Sequence, residues 1–169
     1  SSLEQEAQKF IDPKKGVEDA AQAIAGAQDI LAEQLSDSPQ VRARLRDYLQ
    51  KNARILTTIG TKENKIYKMY SVYRESIGKI HSHRVLAIDR GEREEALKVS
   101  LEADSQVALH LLEQELIRKN SPFAKQLREV CEDSYKRLLF PSLERQIRAQ
   151  LTERADAQAI GVFSENLKN

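Results

Sequence analysis

The residues with the clearest chemical potential lie between Lys62 and Arg84, where basic side chains alternate with tyrosines. Six basic residues stand against two acidic ones in this stretch, which leaves a net charge of +4. Basic side chains contact nucleic-acid phosphates, and aromatic rings can stack on unpaired bases. Tyrosines spaced three apart can also line one helix face and pack into a core. Both interpretations fit, and packing is favoured because a basic segment alone is a weak signal for nucleic acid. The residues concerned are Lys62, Lys65, Lys68, Arg74, Lys79 and Arg84, with Tyr67, Tyr70 and Tyr73.

Two other groups of residues have side chains that can bind a metal ion or act as a nucleophile. His81 and His83 would share a metal ion on a strand but diverge on a helix, and no cysteine or third histidine lies nearby in the sequence. Cys131 has acidic neighbours, which raise the pKa of a thiol, so we predict a buried and unreactive cysteine. The sequence contains no glycine-rich phosphate loop and neither the H-E-x-x-H nor the G-x-S-x-G motif. We therefore expect no enzyme activity, no metal and no cofactor.

The bulk composition describes an ordinary globular chain. Of its 169 residues 40% are hydrophobic and 31% are charged, and 27 basic against 26 acidic residues give a net charge of +1. Any case for nucleic acid must therefore rest on a local patch. A single cysteine excludes an intramolecular disulfide and favours a reducing compartment, and no apolar run is long enough to span a membrane. We expect a cytoplasmic protein without a membrane or a small-molecule substrate as partner.

The elements that position the basic stretch are predicted from residue type and spacing. Residues 54–59 are rich in β-branched side chains and 96–102 alternate apolar with polar, so each is expected to form a strand. We expect the two strands to pair, because a lone strand leaves its backbone groups unsatisfied. Between them the pattern predicts a helix from about Tyr67 to Ile77. A short second helix follows, with Ser82 as its N-cap and Gly91 as its left-handed end.

The rest of the chain shows helical periodicity. A helix is predicted from Val17 to Leu35, and Ser38 followed by proline predicts the start of a second. A third is expected to bury apolar residues from Val107 onward. From Pro122 the pattern stays helical to the end of the chain, kinked or broken near Pro141 because proline removes a helical hydrogen bond. Spacing of four also predicts exposed ion pairs, with Glu132 opposite Lys136, Asp133 opposite Arg137 and Glu144 opposite Arg148.

The fold class that follows is all-α, a mainly helical bundle with a long C-terminal helix and one small two-stranded sheet, 54–59 with 96–102. Residues 1–120 are expected to form a helical core with this β element, and 121–169 a helical strut. Apolar residues repeat every four positions along the strut and drift around the helix by about 40° per step. Such a stripe must cross several partners or stay partly uncovered. Its members are Leu139, Leu143, Ile147, Leu151, Ala155, Ala159, Phe163 and Leu167.

Three motifs resemble those of a known protein family. Residues 83–92 read H-R-V-L-A-I-D-R-G-E and closely resemble the H-R-V-L-A-I-x-R-G-E signature of the Tex family of bacterial transcription accessory proteins. Residues 26–33, G-A-Q-D-I-L-A-E, resemble the family's G-A-x-D-I-L-A-E. Residues 135–145 resemble its Y-K-R-L-L-x-P-S-x-E-R segment. The resemblance covers nearly the whole chain in order, with one departure, because His81 stands where the family usually has proline.

The resemblance implies a function that the residues alone do not. It implies a segment lying between an N-terminal helix-turn-helix region and an RNase H-like domain, in a protein that binds RNA or DNA and the transcription machinery. Under this interpretation the segment is a non-catalytic scaffold, and Lys65, Lys68, Arg84 and Arg90 are the residues expected to contact phosphate. The alternative is a protein-docking helical domain that never touches nucleic acid.

Overall fold

The computed structural model describes residues 17–168, and residues 1–16 and 169 lie outside the described part of the chain. The described residues form a mainly helical fold with a small antiparallel sheet, which confirms the predicted class. The elements in order are α1 (Val17–Asp37), α2 (Pro39–Asn52), β1 (Arg54–Ile59), a 3₁₀-helix (Lys65–Tyr70), β2 (Val72–Ser76), α3 (Ser82–Arg93), β3 (Leu97–Glu102), α4 (Ser105–Leu116), α5 (Ala124–Asp133), a π-helical segment (Ser134–Leu139) and α6 (Phe140–Lys168).

The chain divides into two compact units, each built from two stretches. Within the described residues, the helical unit comprises 17–45 and 105–142, and the mixed unit comprises 46–104 and 143–168. Both units therefore combine an early and a late part of the chain. The predicted division at residue 120, part of which falls on residues 1–16 outside the described chain, stays a prediction.

In the helical unit, α1 packs on α5 and on the π-helical segment, and α4 packs on α5. Small residues of α1 permit this approach, since Ala27 and Ala32 are completely buried. The hydroxyl of Ser134 donates a hydrogen bond to the carbonyl oxygen of Ala32 at 2.7 Å. The start of α2 is as predicted, because the Ser38 hydroxyl accepts a hydrogen bond from the Val41 N–H at 3.4 Å. One expectation is wrong here: Val107 of α4 is exposed, and Ala108 turns inward instead.

The sheet of the mixed unit has three strands in the order β2-β1-β3, and both pairs are antiparallel. The predicted pairing of 54–59 with 96–102 is confirmed, with Arg54 opposite Glu102 and Ile59 opposite Leu97. The helix predicted from Tyr67 to Ile77 is wrong, because this stretch divides into the 3₁₀-helix and β2. Strand β1 is therefore the centre of the sheet, and β2 is an edge.

The predicted interruption near Pro141 takes the form of the π-helical segment. Proline has no N–H to donate to the carbonyl four residues earlier. Immediately before it the backbone widens, and the Phe140 N–H bonds to the carbonyl of Tyr135, five residues back. The wider turn lets the helix continue through Pro141. Of the drifting apolar stripe, the five members from Leu139 to Ala155 are buried, whereas Ala159, Phe163 and Leu167 are exposed.

Candidate functional site

Helix α3, which contains the H-R-V-L-A-I-D-R-G-E stretch, is held differently from the sequence expectation. Its N-cap is His81, without a side-chain capping bond, and the Ser82 hydroxyl bonds to Gln158 on α6 instead. Gly91 does not end the helix; it lies inside α3 and is buried. A Cβ at Gly91 would lie 2.5 Å from Leu97 Cδ1. The left-handed residue after the helix is Glu95, with a φ of 60°. Gly91 is therefore needed for close packing, and the turn is made elsewhere.

Two carboxylates of α3 bind one arginine of α6. Arg148 donates hydrogen bonds to Asp89 Oδ1 and to both carboxylate oxygens of Glu92, each at 2.9 Å. The Thr152 hydroxyl donates to Asp89 Oδ2 at 2.5 Å. Burial alone would lower the pKa of Arg148, but its hydrogen bonds and charge interactions with Glu92 and Asp89 outweigh burial, so the pKa is raised. These side chains hold α3 against α6, and we call them the Arg148 network.

The spacing of residues in the sequence did not predict the Arg148 network. The predicted pair of Glu144 and Arg148 is wrong, since Glu144 accepts a hydrogen bond from the backbone N–H of Leu101 on β3 at 2.8 Å. The helical spacing pointed to a local partner, whereas the actual partners lie 56 and 59 residues away in sequence. Of the other two predicted pairs, Asp133 with Arg137 is confirmed, with Arg137 Nη2 at 2.8 Å from Asp133 Oδ2. The prediction for Glu132 and Lys136 is wrong, because these two described residues form no ion pair with each other.

The Arg148 network forms part of a cleft of about 700 Å³ between α3, β3 and α6. Carboxylates and guanidinium groups are mixed along the cleft, so it presents no uniform charge to a ligand. The described residues contain no group of three or more His, Cys, Asp or Glu side chains arranged to hold a metal ion. None of the basic residues predicted to contact phosphate lines this cleft.

The basic stretch owes its shape to the 3₁₀-helix. The Asn64 side chain accepts a hydrogen bond from the Ile66 N–H at 3.1 Å at its start, and the Tyr70 carbonyl accepts one from the buried Thr57 hydroxyl at 2.7 Å at its end. The 3₁₀-helix has a kink at Tyr67, whose φ of −98° and ψ of 17° are not helical. Tyr67 and Tyr70 are both buried, as the packing interpretation expected.

The lysines and the aliphatic residues of the 3₁₀-helix are exposed. Lys65 and Lys68 line a surface cavity of about 410 Å³ together with Glu63 and Ile59. Ile66 and Met69 are exposed to solvent. The order lysine, aliphatic, tyrosine is repeated along the stretch, and the fold buries the tyrosines while it leaves the other two residue types exposed.

The four residues predicted to contact phosphate lie in different environments. Lys65 and Lys68 are exposed on one cavity wall, and neither forms an ion pair with any residue in the described range 17–168. Arg90 Nε lies 3.0 Å from Glu94 Oε1. The guanidinium carbon of Arg84 lies 5.6 Å from the centroid of the Tyr73 ring. Among residues 17–168, the structure therefore leaves Lys65 and Lys68 without an ion-pair partner, whereas Arg90 contacts Glu94 and Arg84 contacts the Tyr73 ring.

Glu94 joins the two elements that carry these residues. It accepts a hydrogen bond from the Tyr67 hydroxyl at 2.7 Å as well as the one from Arg90. The hydrogen bond to Tyr67, followed by that to Arg90, lowers the pKa of the Glu94 carboxyl, and the same bond raises the pKa of Tyr67. The 3₁₀-helix is thus connected to the C-terminal end of α3.

The histidine pair and the cysteine take no part in either group. The rings of His81 and His83 stack with centroids 5.8 Å apart, although divergence was expected on a helix. They meet because His81 precedes the helix in extended conformation. Cys131 is buried as predicted; burial, with the charges of Glu113 and Glu132, raises the pKa of its thiol to about 12. Such a thiol is a poor nucleophile near neutral pH.

Among the described helices, none combines the length and the apolar character that crossing a lipid bilayer requires.

Comparison with known proteins identifies relatives along almost the entire chain. Residues 1–163 match a family described as Tex central region-like. The uncharacterised protein YdcI of Bacillus subtilis is 43% identical over 96% of this chain and 23% of its own length. The transcriptional accessory protein Tex of Neisseria gonorrhoeae is 31% identical over 99% of this chain and 23% of its own. The human S1 RNA-binding domain-containing protein 1 is 27% identical over 91% of this chain and 17% of its own. The chain spans less than a quarter of these relatives.

Proposed function

We propose a scaffold function for this chain, which belongs to the Tex family of transcription accessory proteins and matches the central region of that family. In this proposal the chain is a non-catalytic helical segment within a nucleic-acid-binding protein. The observation that carries this proposal is the Arg148 network. Asp89 and Glu92, the acidic residues of the family-like stretch in α3, bind Arg148 of α6 inside the protein. Charged residues that fix two helices to each other suit a segment that holds other parts of the protein in place.

Further contacts in the mixed unit support a rigid spacer. Glu144 ties α6 to β3 through the Leu101 N–H. Two side-chain pairs, Arg46 with Gln146 and Gln50 with Gln150, connect the second half of α2 to the same helix at 3.2 and 3.0 Å. The buried portion of α6 is therefore attached to α2, β3 and α3. These contacts fix the direction of α6 relative to the rest of the mixed unit.

The partners we propose are RNA or DNA and the transcription machinery, bound by the longer cytoplasmic protein of which this chain would be one segment. The names of the relatives, a transcriptional accessory protein and an S1 RNA-binding domain-containing protein, support an association with nucleic acid. Direct phosphate contact by Lys65, Lys68, Arg84 and Arg90 is a secondary proposal. The exposure of Lys65 and Lys68 supports it best.

The scaffold proposal is tested by fluorescence anisotropy of labelled RNA and DNA with the full-length protein that carries this segment. We expect Arg148→Met to lower affinity several-fold without changing the dependence on salt, because no phosphate contact is lost. Arg148→Lys, which keeps the charge, should retain more of the affinity. Arg145→Met is the matched control, because Arg145 is an exposed arginine on the same helix. Wild-type affinity in Arg148→Met would contradict a positioning role.

The secondary proposal has its own readout in the same assay. In the plot of the logarithm of the binding constant against the logarithm of the salt concentration, Lys65→Glu with Lys68→Glu should reduce the magnitude of the slope by about two. This is about one for each phosphate contact that is lost. An unchanged slope would remove these lysines from the interface and leave the scaffold proposal standing. A metal-dependent nuclease or ATPase activity that His83→Ala abolishes would instead overturn the assignment as non-catalytic.

A second candidate function is protein docking without nucleic-acid contact. The end of α6 favours it, because Ile160, Phe163 and Leu167 share one side of the helix and are exposed. A gel-shift experiment at low salt discriminates between the two functions. Absence of a shift together with concentration-dependent self-association would favour docking.

A further inference from the structure

The 3₁₀-helix and the start of β2 expose a set of large aliphatic side chains that no part of the scaffold role uses. Ile66 is 80% exposed, Met69 is 61% exposed and Val72 is 72% exposed. Ile66 and Met69 lie on either side of Tyr67, where the 3₁₀-helix has a kink, and Val72 is the first residue of β2. We call these three residues the aliphatic face. Exposed single aliphatic residues are ordinary, but three of them within seven positions of the chain are a clustered exposure of the kind that marks an interaction site.

Positive charge lies directly beside the aliphatic face. Lys65 and Lys68 alternate with its members along the chain and have no carboxylate partner among residues 17–168. By contrast, nearby Lys62 is paired with Glu95 at 2.7 Å. The two lysines line the 410 Å³ cavity, whose wall also includes the exposed Ile59 and one carboxylate, that of Glu63. Two lysines against one carboxylate leave the wall positively charged, so a ligand that combines negative charge with aliphatic groups fits this site.

The sheet adds a third feature. Among the described strands, β2 is an edge strand that pairs only with β1, and Val72 is its first residue. An edge strand presents backbone donors and acceptors to an extended peptide, which can add itself as a further strand. The side chains of such a peptide alternate in direction, so that one set can reach the aliphatic face.

The types of residue that are exposed favour a protein over a nucleic acid as the ligand. Stacking on unpaired bases requires an accessible aromatic face. Tyr67 and Tyr70 are buried, and the exposed residues between the lysines are aliphatic. Aliphatic side chains gain most from other aliphatic side chains, which a peptide supplies.

We propose that the aliphatic face, with Lys65 and Lys68, binds an acidic, extended segment of a partner protein. The carboxylates of that segment pair with the two lysines, its aliphatic side chains cover Ile66, Met69 and Val72, and its backbone lies along the free edge of β2. This binding activity goes beyond the scaffold role and does not depend on it. It competes with phosphate for the two lysines, and the variants below distinguish the two.

The test uses a short fluorescein-labelled peptide that alternates glutamate with valine, with the binding to this chain followed by anisotropy. We expect saturable binding that Ile66→Ser with Met69→Ser weakens about tenfold, since two aliphatic contacts are lost. Lys65→Glu with Lys68→Glu should also weaken the binding of the peptide. Added salt should weaken it too, because salt screens the attraction between the lysines and the glutamates. Peptides that alternate lysine with valine, or glutamate with serine, should not bind.

The matched control is Val107→Ser, because Val107 is an exposed aliphatic residue on α4 in the other unit. This variant should bind the peptide like the wild type. A single-stranded oligouridylate provides the nucleic-acid arm, and Ile66→Ser with Met69→Ser should leave any binding of it unchanged. The proposal is overturned if the glutamate–valine peptide does not bind, if the serine variants bind it normally, or if they weaken oligouridylate binding instead. Circular dichroism on each variant establishes that a loss of binding is not a loss of fold.

Discussion

The Arg148 network and the aliphatic face use charge in opposite ways within one unit of the molecule. In the first, a half-buried guanidinium binds two carboxylates of α3 and leaves little charge for a ligand. In the second, two lysines extend into solvent beside uncovered aliphatic side chains. Charged groups that are buried must be paired, whereas exposed ones can stay free at little cost. The comparison teaches that the basic residues to examine for binding are those that the fold leaves without an internal partner.

The largest effect we expect is on the Arg148 network. Arg148→Met should lower the free energy of unfolding by about 3 kcal/mol, because it leaves the buried Asp89 carboxylate without its counter-charge. Urea denaturation followed by circular dichroism measures this loss. Arg145→Met is the control on the same helix, and it should change the stability by less than about 0.5 kcal/mol.

Substitutions at the two lysines beside the aliphatic face should hardly change the free energy of unfolding. Lys65→Glu with Lys68→Glu should also stay within about 0.5 kcal/mol of the wild type, since neither lysine holds an internal ion pair among residues 17–168. The contrast between the two regions fails if the lysine variant is as unstable as Arg148→Met.

A smaller effect is expected at Gly91, where α3 approaches β3 and the 3₁₀-helix. Gly91→Ala should destabilise by about 1–2 kcal/mol, because its Cβ would overlap Leu97 and crowd Tyr67 at 3.0 Å. Gly161→Ala is a matched helical control with no atom within 4 Å of the new Cβ. It should stabilise by up to about 1 kcal/mol, since alanine favours helix more than glycine does. Equal shifts in thermal denaturation for both variants would show that packing at Gly91 has been misjudged.

The smallest effect is a change in titration at Glu94. Its folded pKa is lowered, so the associated stability is present above the unfolded pKa and is lost as pH falls through the folded pKa. Tyr67→Phe removes the largest cause of this lowering, so the pKa of Glu94 should move back up toward its ordinary value. The measurement is an NMR titration of the glutamate carboxyl carbons. Glu102, lowered by Arg74 and Arg54, is the internal control and should titrate as before.

Local sequence features predicted the elements whose signals are local. The β-branched run of β1 and the alternation in β3 were sufficient to identify two strands and their pairing. Ser38 with Pro39 located the start of α2, and the spacing of Asp133 and Arg137 identified a true ion pair. In each case the stabilising partner lies within the element or satisfies its backbone.

Other features failed because two structures share one local signal. Tyrosines three apart fit an α-helical face and a 3₁₀-helical face equally well, so β2 was missed. Gly91 looked like a helix end, although its role is to admit Leu97. Arg148 has an acidic residue four positions earlier, yet binds two that are 56 and 59 positions away. A short aliphatic pattern also cannot report its own exposure, which depends on what packs over it.

The amino-acid sequence by itself determined that this chain is mainly helical, where α2 starts, that 54–59 pairs with 96–102, and the family to which its motifs point. Periodicity and capping are properties of neighbouring residues, and sequence records them directly. Only the tertiary structure decided which charges are neutralised and which stay free. That outcome is set by partners distant in the chain, whose positions arise when α3, α6, the sheet and the 3₁₀-helix come together.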